Sequence, residues 1–222
     1  MGSEGPAPPV AIHVTGFKKF HGVAENPTET IVNKLQDYMK ERGFPKGLML
    51  GSCTILETAG QGALVPLYQT LQSAVITDGT VSTSGRVIWV HFGVNSGATR
   101  FAIEHQAVNE ATFRCPDEMG WKPQKVPIVP SDGGISRIRK TSLPVEDITK
   151  ALAKMGYEVI TSDDAGRFVC NYARRLKCSL LLPCWTYLHL YASFSSLKPS
   201  TFEGISVPVA YVKMNLNIYA VV

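Results

Sequence analysis

Apolar residues along the first 160 positions follow two spacings, one typical of strands and one typical of helices. The run from Val10 to Thr15 is rich in β-branched residues and ends at Gly16, which predicts a strand that enters a loop. After that loop, Asn26-Pro27-Thr28-Glu29 has the residues of a helix start, and apolar residues then recur every three or four positions up to Gly43. The chain is therefore predicted to open with a strand followed by a helix.

The same alternation continues to residue 161. Further strands are predicted over Leu48 to Leu56, Val87 to Gly93 and Tyr157 to Thr161, and further helices over Gly62 to Val75 and Leu143 to Gly156. The second of these strands is continuously apolar, which indicates a strand covered on both faces. Repeated strand and helix units predict an α/β fold, with a mostly parallel sheet and helices on both faces, in a single domain.

The loops at the carboxyl ends of the strands are the expected site of chemistry, because ligands bind there in open α/β sheets. Three predicted loops leave such ends: Gly16 to Pro27, His91 to Glu104, and Thr161 to Cys170. The stretch from Phe113 to Pro144 is rich in Pro and Gly and predicts a long irregular connection, which is typically functional or disordered.

Composition and charge narrow the class of protein. The 222 residues are 45% hydrophobic and 18% charged, which is typical of a globular chain and excludes a collagen-like or coiled-coil one. The net charge of +4 resides entirely in the last 50 residues, since residues 1–172 hold 17 basic and 17 acidic side chains. Because residues 1–172 have no net charge, they have no excess of positive charge to attract a phosphate backbone. No nucleic-acid partner is therefore expected.

The N-terminus and the cysteines indicate a cytoplasmic protein. Residues 1–9 are polar and Pro-rich, which predicts a flexible segment without the apolar stretch of a signal peptide. The cysteines are odd in number and scattered, which favours reduced thiols over a disulfide framework: Cys53, Cys115, Cys170, Cys178 and Cys184. Their spacing predicts no metal site, and no nucleotide-binding glycine motif is present, so no cofactor is expected.

Cys170 is the strongest candidate for a nucleophile. It follows Ala165-Gly166-Arg167, where the chain leaves a strand and is predicted to enter a helix. Amide groups at a helix N-terminus stabilise a thiolate and can also hold an oxyanion. The alternative is that Cys170 is a small buried apolar residue, the commonest environment of a cysteine that is not in a disulfide.

Two further residues of the strand-end loops could take part. Glu104 lies among apolar residues, so it is either a solvated surface group or the carboxylate of a catalytic triad. His91 ends the buried strand and is expected to be a neutral core histidine bonded to the backbone.

Four segments, in order, resemble motifs of the type I pyroglutamyl peptidases. Thr15-Gly-Phe-Lys-Lys-Phe-His-Gly and Asn26-Pro27 resemble the first-loop motif of that family, and Val90-His-Phe-Gly93 and Glu104 to Asn109 resemble its HxG and glutamate motifs. Ser162 to Tyr172, which contains Asp-Ala-Gly-Arg-Phe-Val-Cys, is similar to its nucleophile motif. The resemblance covers about residues 10–172.

The resemblance implies an α/β cysteine peptidase that removes N-terminal pyroglutamate from peptides and needs no metal or cofactor. By the same resemblance Cys170 is the nucleophile and Glu104 the triad carboxylate. The residues implied to bind the lactam ring are Phe17, Phe20, Asn26, Phe168 and Val169. Aromatic walls suit a flat, uncharged lactam, whereas a free ammonium group would be left without a partner there.

The last 50 residues depart from the family pattern, which continues with an aromatic helix and a His-Val-Pro strand that carries the base. Residues 173–222 contain no His-Val-Pro and are therefore treated as an atypical tail, which either completes the domain or covers it poorly. His189 is the only histidine after Cys170 and is the remaining candidate for the base.

The departure leaves two alternatives to an active peptidase. One is a catalytically impaired form or a non-catalytic binder of pyroglutamyl groups, and the other is a cysteine hydrolase that acts on a different small amide. The apolar stretch Leu180 to Phe194 has only 15 residues and contains Pro183, too short to span a bilayer. An oligomer is compatible with the sequence.

Overall fold

The computed structural model of the chain describes residues 10–77, 80–81, 87–95, 100–180 and 186–192. The predicted flexible N-terminus, residues 1–9, lies outside the described residues, and so do residues 181–185 and 193–222 of the predicted tail.

Within the described ranges the chain forms four α-helices and a series of strands. The helices are α1 (Pro27–Arg42), α2 (Leu64–Val75), α3 (Val145–Lys154) and α4 (Val169–Leu180). The longer strands are β1 (Val10–Phe17), β2 (Leu48–Leu56), β5 (Val87–Val94), β6 (Phe101–Glu104), β11 (Val159–Ser162) and β12 (Thr186–Ala192). The short strands are β3 (Ile76–Thr77), β4 (Thr80–Val81), β7 (Gln106–Val108), β8 (Glu110–Ala111), β9 (Val126–Pro127) and β10 (Ile138–Lys140).

One six-stranded sheet forms the centre of the described residues, in the order β11-β6-β12-β5-β1-β2. The pairs β1 with β2, β1 with β5, β5 with β12, and β6 with β11 are parallel, and only β6 with β12 is antiparallel. The prediction of a mostly parallel α/β sheet is therefore confirmed.

The sheet is covered on both faces, as predicted. One core cluster joins buried residues of α1 and α3 to the sheet, and a second joins residues of α2 and α4 to its opposite face. Alternate residues of β5 divide between the two clusters, since Ile88 and Val90 belong to the first and Trp89 to the second. This division explains why β5 reads as a continuous apolar run.

Helix α1 begins where the sequence predicts and explains why β1 is longer than predicted. Asn26 is the N-cap, and its side chain accepts a hydrogen bond from the Thr28 amide at 3.0 Å. The Thr28 hydroxyl in turn accepts from the Phe17 amide at 3.0 Å. Because Phe17 is held in this way, β1 extends through Gly16 to Phe17, and the first loop begins two residues later than expected.

Strand β12 is the main element that the sequence analysis does not predict. Helix α4 runs through residue 172, where the resemblance to family motifs ends, and β12 then enters the sheet between β5 and β6. The central sheet therefore contains residues from both sides of the predicted boundary at 172.

The long connection from residue 113 to 144 has little regular structure, as predicted, but polar side chains fix it to the fold. The Asn109 amide group donates to the carbonyls of Val129 at 3.0 Å and Gly133 at 2.9 Å and accepts from the Val129 amide at 2.8 Å. Asp132 forms ion pairs with Arg139 and with the buried Arg175 of α4. These bonds hold the connection against the part of the fold that contains Cys170.

Candidate active site

A row of polar residues crosses the central sheet at one level of its strand register. Thr15 of β1 pairs with His91 of β5, His91 with His189 of β12, His189 with Glu104 of β6, and Glu104 with Ser162 of β11. Glu104 and Ser162 are the last residues of their strands, so the row lies near the carboxyl ends of the parallel strands. These strand ends are where α/β sheets bind their ligands.

Glu104 is a buried carboxyl group with one oxygen available for a further partner. It is 3% exposed, and it accepts a hydrogen bond from the Ser162 side chain. Its Oε2 has no hydrogen-bond partner among the described residues. Desolvation raises the pKa of Glu104 to about 7, with a further upward contribution from Asp163 and Asp164, while the Ser162 hydrogen bond and the Arg174 charge oppose the rise. The group thus changes charge near neutral pH.

His91 is buried, as predicted, and one of its partners is a side chain. Its Nδ1 lies 2.5 Å from the Thr15 hydroxyl, and its ring meets the ring of Phe17 edge-on, with 4.7 Å between the centroids. The register of β1 and β5 places Thr15 and His91 side by side. His91 consequently links the polar row to Phe17 at the end of β1.

Cys170 is the second residue of α4 and is half-buried. The first amides of a helix have no acceptor within the helix, so the thiol is in the electropositive first turn. The next residue, Asn171, anchors this turn: its side chain accepts from the Val108 amide at 3.0 Å and donates to the carbonyls of Val108 and Glu110 at 2.9 Å. Cys170 is therefore on a rigid element whose start is fixed to the segment that follows Glu104.

The residues implied to bind the lactam differ in exposure. Phe17 and Val169 are 2% and 0% exposed and pack in the core cluster that Cys170 and Phe168 also contact. Phe20 and Phe168 are half-buried and so offer aromatic surface. Phe168 packs on Phe113 with 4.6 Å between ring centroids, whereas Phe20 forms a short bridge with Val23 in the first loop.

Asn26 is buried and holds the first loop in addition to capping α1. Its side-chain amide donates to the Lys18 carbonyl at 2.8 Å, and its oxygen accepts from the Thr28 hydroxyl at 2.8 Å. The Lys18 carbonyl also accepts from the Thr58 hydroxyl at 2.7 Å. Asn26 is thus engaged with the protein and shapes the loop that follows Phe17 and contains Phe20.

Sequence reasoning did not single out several residues that hold this region together. Thr15, Ser162, Asn171 and Arg174 support His91, Glu104 and the start of α4, and Trp121 extends the aromatic cluster of Phe113. Thr15, Ser162 and Asn171 lie within the family motifs, and Arg174 is one helical turn after Cys170, so sequence position gave a signal for all four.

Among the described residues, no three His, Cys, Asp or Glu side chains are grouped so that they could hold a metal ion. Nor is any helix of those residues long and apolar enough to cross a membrane.

Comparison with known proteins places these features in a family context. A sequence model described as pyroglutamyl peptidase matches residues 10–195, which extends beyond Tyr172 and includes the strand of His189. The chain is 31% identical over 195 residues to pyrrolidone-carboxylate peptidase of Pyrococcus furiosus, covering 88% of this chain and 79% of that protein. It is 31% identical over 159 residues to the Klebsiella pneumoniae protein of the same name, covering 72% of this chain and 65% of the relative.

Solved structures agree with the fold. The chain is similar to pyrrolidone carboxyl peptidase from Thermus thermophilus, with a TM-score of 0.68 and 20% identity over 91% of this chain and 98% of that one. It is also similar to a mutant of the Pyrococcus furiosus protein, with a TM-score of 0.72 and 22% identity over 96% of this chain and 100% of that one. The chain spans 65% of the length of the Escherichia fergusonii protein and 65% of the length of the Klebsiella pneumoniae protein.

Proposed function

The chain belongs to the pyroglutamyl peptidase family, and from this premise we propose that it is a cysteine peptidase that removes N-terminal pyroglutamate from peptides. The observation that supports this best is Glu104, a buried carboxyl group with an unused oxygen, in register with His189 on the next strand. A buried acceptor beside a histidine position is the arrangement that orients an imidazole in a catalytic triad.

In the proposed reaction, the Cys170 thiolate attacks the carbonyl carbon that joins the pyroglutamyl residue to the peptide. The thiol proton passes to the imidazole of His189, which then protonates the leaving amine as the C–N bond breaks. A thioester to Cys170 remains. Water attacks this acyl group, giving its proton to His189, and the bond to sulfur breaks to release pyroglutamate and restore the thiol.

Glu104 is proposed to accept a hydrogen bond from the His189 imidazole and to stabilise the imidazolium that forms during the reaction. Only the ionised carboxylate does this well. Since burial raises the pKa of Glu104 to about 7, the ionised fraction grows as the pH rises through neutrality. The rate constant kcat/KM is therefore expected to increase from pH 6 to pH 8.

The start of α4 is proposed to supply the oxyanion site. Amide groups in the first turn, where Cys170 is located, can donate to the oxygen that becomes negative when the thiolate attacks. The bonds of Asn171 to Val108 and Glu110 keep this turn in position, so the donors need not reorganise during the reaction.

The lactam is proposed to bind against the half-buried rings of Phe20 and Phe168. Phe17 and Val169 support this surface from the core, and Asn26 holds the first loop in the shape that presents Phe20. A flat uncharged lactam suits such walls, whereas the ammonium group of an ordinary N-terminus would lose its hydration without gaining a partner.

We also propose, from the reduced cysteines and the neutral body of the sequence, a cytoplasmic location and no nucleic-acid partner. Cell fractionation and a nucleic-acid retention assay test these two points. Sedimentation of the purified chain determines whether it forms an oligomer.

The decisive experiment measures release of aminomethylcoumarin from its pyroglutamyl amide. We expect turnover that Cys170→Ala reduces by at least about 10³-fold, because the reaction then has no nucleophile. The matched control is Cys115→Ala, which removes an exposed thiol and is expected to keep full activity. Alkylation should inactivate the wild-type and Cys115→Ala proteins alike.

Four outcomes would contradict the proposal. Turnover that survives Cys170→Ser at full rate excludes the thiol mechanism, and so does turnover that a chelator abolishes. Affinity for pyroglutamate without turnover indicates a binder, and preference for another small amide indicates a different hydrolase.

A further inference from the structure

Arg174 is a buried arginine one helical turn after Cys170. It is 3% exposed and lies on α4, the helix that also contains the proposed nucleophile. Residues four apart on a helix lie on the same face, so Arg174 follows Cys170 along the helix. A buried guanidinium group is costly unless its donors are satisfied, which makes its partners informative.

Arg174 donates to two backbone carbonyls at the bend that contains Glu104. Its Nη2 donates to the Glu104 carbonyl at 3.1 Å, and its Nη1 donates to the Gln106 carbonyl. The bend is the point where β6 leaves the central sheet and β7 begins. Arg174 therefore joins the helix of the proposed nucleophile directly to the backbone of the proposed triad carboxylate.

Bonds from the opposite side hold the same bend. The His105 amide donates to the Ser162 carbonyl at 2.7 Å, and the Gln106 side chain donates to the Asp163 carbonyl at 2.9 Å. The acceptors are the last residue of β11 and the residue that follows it. Glu104 is thus held between β11 on one side and α4 on the other.

We propose that Arg174 is a positioning residue for Glu104: it fixes the bend that carries this residue and brings a positive charge to it from α4. This role rests on the proposed function, since it matters only if Glu104 orients the base. Arg174 acts through Glu104 and needs no contact with the substrate.

The charges around Glu104 show why a cation is needed there. From β11 and the turn that follows it, Asp163 and Asp164 disfavour the carboxylate, and the Ser162 hydroxyl favours it. His189 is its register neighbour on β12. Asp163 and Asp164 are themselves paired, with His105 at 3.3 Å and with Arg167 at 2.7 Å. The charge of Arg174, on α4, lowers the pKa of Glu104 against the effect of burial.

The test compares Arg174→Met, which removes the charge and keeps a long side chain, with Arg174→Lys, which keeps the charge. The control is Arg42→Met, the same change at an exposed residue at the end of α1. For each protein, kcat/KM for the pyroglutamyl coumarin substrate is measured from pH 5 to pH 9.5. In parallel, the infrared band of the protonated Glu104 carboxyl, assigned with Glu104→Gln, is titrated without substrate.

We expect Arg174→Met to move the acid limb of kcat/KM and the midpoint of the Glu104 band upward together, by about one pH unit. Activity should then fall about fivefold at pH 7 and recover to within about threefold at pH 9, where Glu104 is ionised in both proteins. Arg174→Lys should keep a midpoint close to that of the wild type and lose activity about equally at every pH, because one ammonium group cannot reproduce both carbonyl bonds. Arg42→Met should match the wild type.

A merely structural role would lower activity by the same factor at every pH and leave the band midpoint unchanged, which overturns the proposal. A midpoint in Arg174→Lys that lies well above that of the wild type also overturns it, and this variant retains charge and volume if the Met variant fails to fold. If the wild-type chain turns over no pyroglutamyl substrate, the proposed function fails, but the infrared titration still decides whether Arg174 controls Glu104.

Discussion

Asp117 and Glu104 are both buried carboxyl groups, 5% and 3% exposed, yet the fold uses them in opposite ways. Asp117 accepts hydrogen bonds from three backbone amides, those of Gly60 at 2.9 Å, Met119 at 3.0 Å and Trp121 at 2.9 Å. Glu104 accepts from Ser162 and keeps Oε2 without a partner among the described residues.

The difference separates a structural carboxylate from a chemical one. The three amides at Asp117 satisfy its charge and tie the connection after Phe113 to the loop that precedes α2. The hydrogen bonds around Glu104 offset only part of the free-energy cost of burying it. A buried carboxyl group with too few partners is typical of functional sites. Three predictions follow from this contrast, beginning with the largest expected effect.

Glu104→Gln is expected to lower kcat/KM by about 10²–10⁴-fold, because an amide is uncharged and cannot stabilise an imidazolium as a carboxylate does. Steady-state assays at pH 8 measure this, with circular dichroism to verify that the variant is folded. Activity within about threefold of the wild type would show that the unused oxygen has no catalytic role.

Asp117→Ala is expected to lower the free energy of unfolding by about 3–5 kcal/mol, since it leaves three backbone amides without their acceptor. The activity of the folded fraction should change little. Urea unfolding monitored by Trp fluorescence measures the stability, with Asp37→Ala on the exposed side of α1 as the control. A large loss of kcat in fully folded Asp117→Ala would contradict the purely structural role of Asp117.

Glu104→Gln is also expected to make the protein more stable, by about 2–3 kcal/mol at pH 8.5, and not at pH 4. The pKa of Glu104 is about 7 in the folded protein, against 4.5 for an ordinary glutamate side chain, so the folded state binds the proton more tightly. The stability that this proton gives is complete below pH 4.5 and is lost as the pH rises through 7.

The measurement is the difference in unfolding free energy between the wild type and Glu104→Gln across that pH range. If this difference in unfolding free energy does not change with pH, burial does not raise the pKa of Glu104. Loss of activity together with a gain in stability, in one variant, is the signature that distinguishes Glu104 from Asp117.

Local sequence predicted the helices and strands that are marked by a few neighbouring residues, such as a helix cap or an apolar run. Asn26 and Pro27 marked the start of α1, and the continuous apolar run marked β5 as a strand buried on both faces. Strand β12 was not predicted, because its position between β5 and β6 depends on pairings with segments roughly 80 to 100 residues away in the chain.

The candidate site shows the same limit. Local sequence could not decide whether Glu104 is solvated or buried, and only the resemblance to the peptidase family favoured a triad role. The polar row from Thr15 to Ser162 arises from the register of five strands, which no local pattern contains. Arg174 resembles any charged residue on an exposed helix face, and its burial is set by the bend at Glu104.

The position of β12 in the sheet has a consequence for biosynthesis. The strand that joins β5 to β6 is the last of the described strands to leave the ribosome, so the sheet stays in two parts while about 80 residues after β6 are being made. During that time two inner strands present unpaired backbone groups, which are prone to associate with other chains. Chaperone binding to the nascent protein is therefore expected to persist until residue 192 has emerged, and a premature stop before β12 should give an aggregating fragment and not a smaller folded protein.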